Sequence, residues 1–167
     1  VIDPEVCLIT NIGHDHMDIL GHTLEAVARE KAGIIKPGRP VVISEYQPEC
    51  EPVFQKVAES CNAPLTLAGQ SVQMEVKNGI YRIHTATMDL EIRPHLNAAY
   101  QRPNIAGVIA VVDNLRKAGY RISDAAVGEG LAGVTRLTGL RGRWQQIGTS
   151  PLVVCDTGHN PEGILAV

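Results

Sequence analysis

The chain has 167 residues, of which 44% are hydrophobic and 20% charged, and a net charge of -3. That length suffices for one well-buried domain. The lack of a broad basic field argues against a nucleic-acid partner, and no apolar run approaches the length that crosses a bilayer.

Residues 6–9 are continuously apolar, which predicts a strand covered on both faces. The strand opens into a turn carrying Asn11, Gly13, His14, Asp15, His16 and Asp18. Ligands of parallel α/β sheets bind at the carboxyl ends of the strands. Thr23 reads as an N-cap, with Glu25 in the first turn and Gly33 as the C′ residue. The apolar stripe of this helix is Leu24, Val27, Ala28 and Ala32, and Lys31 falls on the same inward face.

A turn over 34–40 precedes a strand at 41–44, a helix over 48–61 and a short strand at 65–68. This β-α-β-α-β order predicts a parallel sheet with right-handed crossovers. The period then changes. Residues 72–76, 80–84 and 88–93 alternate apolar and polar, and Asn78-Gly79 marks a hairpin. The fold class is therefore α/β: a partial, mostly parallel sheet with flanking helices, plus a small antiparallel meander on its edge.

The longest helix is predicted over 102–117 with Pro103 in its first turn, and Gly119 ends it. Ser123 caps a shorter helix to about Leu131, and 135–142 reads as a glycine-containing loop. Strands follow at 144–147 and 152–155. Asn160 and Pro161 then open a last helix as N-cap and N1.

Cys7, Cys50, Cys61 and Cys155 form no CxxC pair. They read as free thiols of a reducing, cytoplasmic setting, with Cys7 and Cys155 inside apolar strands and buried. No signal peptide is visible. The opening without Met and the helix that stops after barely two turns read as a fragment of a longer protein.

His14, Asp15, His16 and Asp18 suit either a metal site or a solvated turn. Imidazole favours zinc, whereas Mg²⁺ prefers oxygen and keeps waters, so local chemistry leaves the ion open. An inward lysine either snorkels to the rim or must be paired, neutral or modified. Asp156 and His159 lie where a strand meets a helix N-terminus, which suits a phosphate or only a capped turn. Arg143 is a candidate phosphate clamp, and Asn104 reads a base edge or caps a helix. No GxxxxGK[ST] loop occurs in these residues.

Taken together, five stretches resemble the folylpolyglutamate synthase and dihydrofolate synthase family of Mur-type ligases. They are Thr10-Asn11-Ile12-Gly13-His14-Asp15-His16 with Leu20-Gly21, Glu30-Lys31-Ala32-Gly33-Ile34, Tyr100-Gln101-Arg102-Pro103-Asn104, Gly142-Arg143-Trp144-Gln145 and Asp156-Thr157-Gly158-His159-Asn160-Pro161. The resemblance implies an ATP-dependent ligase that adds L-glutamate to folate or dihydropteroate through an acyl phosphate. By position, His16 matches a metal-ligating histidine and Lys31 a lysine that becomes carbamylated. Asn104, Arg143 and Asp156 match ATP-contacting positions, with His159 beside them; Lys31 and His159 are the catalytic candidates. His14 stands where the family often has an apolar residue. The implied cofactors are ATP and Mg²⁺, with a monovalent cation as a further candidate. The implied parent is a cytoplasmic monomer with no membrane or nucleic-acid partner. Residues 1–139 correspond to the second half of the central ATP-binding domain, and 140–167 to the hinge and start of the next. The family's Gly-rich phosphate loop and metal-binding glutamate precede Val1. Two other readings stand beside this one: a zinc hydrolase built on His14, His16 and Asp18, and a non-catalytic α/β binding module.

Overall fold

A computed structural model describes residues 2–13, 23–158 and 164–165. Apart from Ile164 and Leu165, which are helical, the predicted helix after Asn160 lies outside them, as do His14, Asp15, His16, Asp18 and His159.

Three short strands, β1 (Cys7–Ile9), β2 (Val41–Ile43) and β3 (Leu65–Leu67), form a parallel sheet in the order β1-β2-β3. The helices α1 (Leu24–Ala32) and α2 (Glu51–Ser60) are the crossovers. Successive strand residues point to opposite faces. Val41 and Ile43 join Val27, Ala28, Ala32, Phe54 and Ala58 in a core with α1 and α2. Val42 faces the other way, into a second core. All three β2 residues are buried, the arrangement a doubly covered parallel strand requires.

The second core is built by a short helix α3 (Ala68–Ser71), the meander β4 (Gln73–Lys77), β5 (Ile80–His84) and β6 (Asp89–Ile92), and the long helix α4 (Gln101–Lys117). Asn78 and Gly79 both have positive φ, 52° and 74°. A two-residue turn of that kind matches the twist of the strands it joins, as the sequence predicts. The meander does not extend the edge of the parallel sheet: β4-β5-β6 is a sheet of its own. Its apolar side, with Tyr81, Ile83 and Ile92, packs with Ile105, Ile109 and Ala110 of α4. Burial on a helix satisfied its alternating pattern without further strand pairing.

A polar network ties this layer together. Thr85 Oγ1 donates to Asp113 Oδ1 at 2.9 Å, and the Thr87 hydroxyl donates to the same oxygen. Arg116 donates to Thr87 O and to Asp124 Oδ1, each at 2.7 Å. Asp113 is buried, so its hydrogen bonds offset a desolvation cost that an apolar residue would not carry. Asp124 opens α5 (Asp124–Ala132), capped by Ser123 as predicted, with Ser123 Oγ accepting from Ala126 N–H at 3.1 Å.

Three local expectations fail for physical reasons. Residues 135–142 are not wholly loop, because α6 (Val134–Thr138) forms between Gly133 and Gly139. Gly139 ends it in the left-handed region at φ 70°, which glycine adopts without a Cβ penalty. Gly33 is not a left-handed C′ residue: its φ is -58°, and a Cβ there would stand 3.1 Å from Glu30 O. The helix instead ends in a tighter turn, with Gly33 N–H donating to Glu30 O at 3.1 Å. Cys155 is exposed rather than buried, because β7 (Gln145–Thr149) and β8 (Leu152–Cys155) form a two-stranded hairpin with no layer behind it among the described residues. Cys7 is buried, as expected. No helix of the described residues is long and apolar enough to cross a membrane.

The strand that leads to the His-rich stretch is continued by a side chain. Ser44 N donates to Ile9 O at 2.9 Å and Glu45 N to Thr10 O at 3.0 Å. Beyond that the backbone of the second strand turns away. The Gln47 carboxamide replaces it, accepting from Ile12 N and donating to Ile12 O, both at 2.7 Å. The Gln47 carbonyl meanwhile accepts from Cys50 and Glu51 N–H at the start of α2.

α4 approaches β2 closely at Gly107, where an added Cβ would lie 1.8 Å from Ser44 Oγ and 3.2 Å from Leu8 Cδ1. Ser44 Oγ is buried without a hydrogen-bond partner among the described residues. Gly107→Ala is expected to destabilise the protein by about 1–3 kcal/mol through overpacking. Adding Ser44→Gly should recover part of the loss, and urea denaturation of both variants checks this.

Candidate functional site

Asn104, Arg143 and Asp156 gather where α4 begins and the β7–β8 hairpin ends. Gly142 sits at φ 68°, and a Cβ there would come within 2.4 Å of Thr157 Cγ2. The glycine therefore allows two chain segments to touch. Thr157 N–H and its hydroxyl donate to Gly142 O at 2.9 and 3.0 Å, and Gly142 N–H donates to Gln145 Oε1 at 2.9 Å. Arg143 donates through Nη1 to the Thr157 hydroxyl. Trp144, at φ 46°, turns the chain into β7.

Asp156 is the hub of this cluster. Its Oδ2 accepts from the Tyr100 hydroxyl at 2.9 Å and from Trp144 N–H at 2.6 Å, and its Oδ1 accepts from Gly158 N–H at 2.9 Å. Burial pushes its carboxyl up, but the hydrogen bonds from Trp144, Tyr100 and Gly158 and the nearby charge of Arg143 outweigh this and hold it below its ordinary value. Tyr100 shifts the other way: burial, and then the bond to the carboxylate, push its phenol up, so it remains a donor. Asn104 lies one turn into α4, where its amide donates to Gln101 Oε1 at 3.0 Å. Beside these residues is a cleft of about 510 Å³, lined by His95, Asn97, Tyr100, Gln101, Arg143 and Trp144 among others.

Arg143 and Asp156 thus meet, and Tyr100 joins them to the helix that carries Asn104. Lys31 does not share this cluster. It is exposed in the last turn of α1, on the face of the parallel sheet opposite α4. Its place on the inward stripe does not bury it: a charged ammonium is costly to desolvate, and its stem lets it reach water from the helix end. His16 and His159, and the zinc candidates His14 and Asp18, lie outside the described residues. Among the described residues no group of three His, Cys, Asp or Glu could hold a metal ion. Sequence reasoning passed over the roles of Tyr100, Trp144 and Thr157. All three were legible as letters in their motifs, but a bond such as that of Tyr100 to Asp156, between residues 56 positions apart, leaves no local signal.

The Mur ligase middle domain profile matches residues 1–112. The "Dihydrofolate synthase/folylpolyglutamate synthase" of Bacillus subtilis is 35% identical over 98% of this chain and 39% of its own length. Among solved structures, Escherichia coli FolC in complex with DHPP and ADP superposes at TM-score 0.81 with 31% identity, covering 97% of this chain and 36% of that one. An FPGS–AMPPCP–folate complex superposes at TM-score 0.83 with 27% identity, covering 99% of this chain and 41% of that one. The chain therefore spans about two fifths of the length of the relatives it matches.

Because the Asp156 carboxyl is held low, it stabilises the folded state above the ordinary carboxylate value, and the contribution is lost as pH falls through the lowered value. Asp156→Asn is expected to remove that acid-side dependence and to loosen the hairpin base at neutral pH. Trp144, the single tryptophan, reports both effects by fluorescence in acid titrations of the two proteins.

Proposed function

Since the chain belongs to the Mur ligase middle domain family, we propose that it is part of an ATP-dependent ligase that adds L-glutamate to folate or dihydropteroate. The observation that carries the reading is the superposition of 99% of the chain on an enzyme that holds AMPPCP and folate. The name of the Bacillus subtilis relative, and the DHPP and ADP held by the Escherichia coli FolC structure, support the same chemistry.

The reaction follows from the weakness of a carboxylate as an electrophile. Transfer of the γ-phosphoryl of ATP to a carboxylate oxygen gives an acyl phosphate and ADP. The glutamate amine then attacks the acyl carbon, the C–O bond to phosphate breaks, and the amine gives up a proton. Catalysis of such transfers rests on positioning and on stabilising charge.

In this chain Asn104, Arg143 and Asp156 are the proposed nucleotide contacts, with His159 beside them. Arg143 offers the planar fork suited to phosphate. Asp156 keeps acceptor capacity on Oδ1, which takes one donor among the described residues. His16 and Lys31 are the proposed metal positions. Mg²⁺, when bound, supplies neutralisation of phosphoryl charge. The described residues do not themselves make its site, because an ammonium cannot ligate a cation. Lys31 contributes oxygen only as a carbamate, and an anion in the last turn of α1 opposes the helix dipole unless a cation accompanies it. Residues 1–139 are assigned to the ATP-binding domain and 140–167 to the hinge and the start of the next domain. The parent is proposed to be a cytoplasmic monomer.

Phosphate release by the full-length parent is expected to require ATP, glutamate and a folate or dihydropteroate together. The present chain alone should release none, and turnover by it would overturn the assignment to a part of the enzyme. Lys31→Ala in the full-length parent is expected to lower kcat about 100-fold or more. Steady-state kinetics check this, and an unchanged kcat would remove Lys31 from the mechanism.

A further inference from the structure

We propose that Tyr100 is a positioning residue of the nucleotide site: its hydroxyl, bonded to Asp156 Oδ2, holds the carboxylate at the base of the hairpin against the start of α4. This rests on the nucleotide reading above.

The geometry is specific. Tyr100 is the residue immediately before α4, and Asn104 follows one turn later on the same helix. Asp156 immediately follows β8. The phenol is long enough to bridge these two elements while its ring stays half-buried beside the cleft. On the hairpin side the same carboxylate oxygen also accepts from Trp144 N–H, next to Arg143. One oxygen thus receives a donor from each of the two segments that carry the proposed nucleotide contacts. The second oxygen takes only Gly158 N–H among the described donors, and so stays turned toward the end of the hairpin. A carboxylate has about four acceptor positions, so three donors fix its plane and leave room for a ligand hydroxyl. Removing the phenol hydroxyl would leave Asp156 attached to the hairpin alone. Asn104 and Arg143 would then no longer be held at a fixed separation, and a nucleotide would have to order them on binding.

Tyr100→Phe, Asp156→Ala and the double variant Tyr100→Phe/Asp156→Ala, all in the full-length parent, test this. ATP affinity by calorimetry, ATP KM, kcat and Tm are measured for each. Tyr100→Phe keeps the ring and is expected to weaken ATP binding and raise ATP KM by roughly tenfold, the scale of one hydrogen bond to a charged group. KM should rise far more than kcat falls, and Tm should move by no more than about 2 °C. The double variant should bind ATP no worse than Asp156→Ala alone, since Asp156→Ala already removes the acceptor of the phenol hydroxyl. Equal ATP affinity in wild type and Tyr100→Phe, while Asp156→Ala weakens it, would overturn the positioning role and leave the nucleotide site standing. Additive losses in the double variant would overturn it as well. ATP affinity untouched by Asp156→Ala would overturn the nucleotide assignment of Asp156, and the proposal with it.

Discussion

The fold depends on the burial of β2 on both faces. Val41, Val42 and Ile43 are each no more than 4% exposed. A strand in that position needs an apolar layer above and below, and each layer must reach it without leaving a void. One side is covered by α1 and α2, which the parallel crossover supplies as a matter of course. The other is covered by α4, a helix that the chain reaches only after building α3 and the meander. The meander is thus the outer support of α4, and Gly107 is the point at which that support is pressed against the sheet.

This dependence explains why the sequence could be read unevenly. The hairpin at Asn78-Gly79, the Thr23 and Ser123 caps and the apolar face of α1 were legible because each is fixed within a few residues. The separate sheet was not, because alternation says that one face is buried but not against what. Lys31 shows the limit of helical periodicity. Its angle on the wheel points inward, yet the stripe reaches the end of the helix, where a long cationic side chain meets water. The short helix at Val134–Thr138 was hidden by the glycines that bound it.

The candidate site divides along the same line. Its members were found as letters in motifs, and the resemblance they carry agrees with the relatives and solved structures that the chain matches. Their joining was not found, because a carboxylate that gathers donors from Tyr100, Trp144 and Gly158 is made by tertiary structure alone. Asp156 also shows that structural and functional readings of one residue need not compete. A side chain held by three donors among the described residues is a brace for the hairpin and, in the proposed nucleotide site, a preorganised acceptor, since most of the entropy of fixing it is lost during folding.

Gln47 carries a consequence of another kind. Its carbonyl begins α2 while its carboxamide stands in for a missing rung beside Ile12. The spacer between the second strand and the second helix is therefore metered from both ends. One residue inserted before Gln47 would shift its amide off the Ile12 peptide, and one inserted after it would detach the helix start. A surface turn that would ordinarily tolerate changes of length is here closed to insertion and deletion by a partner 35 positions away in the chain.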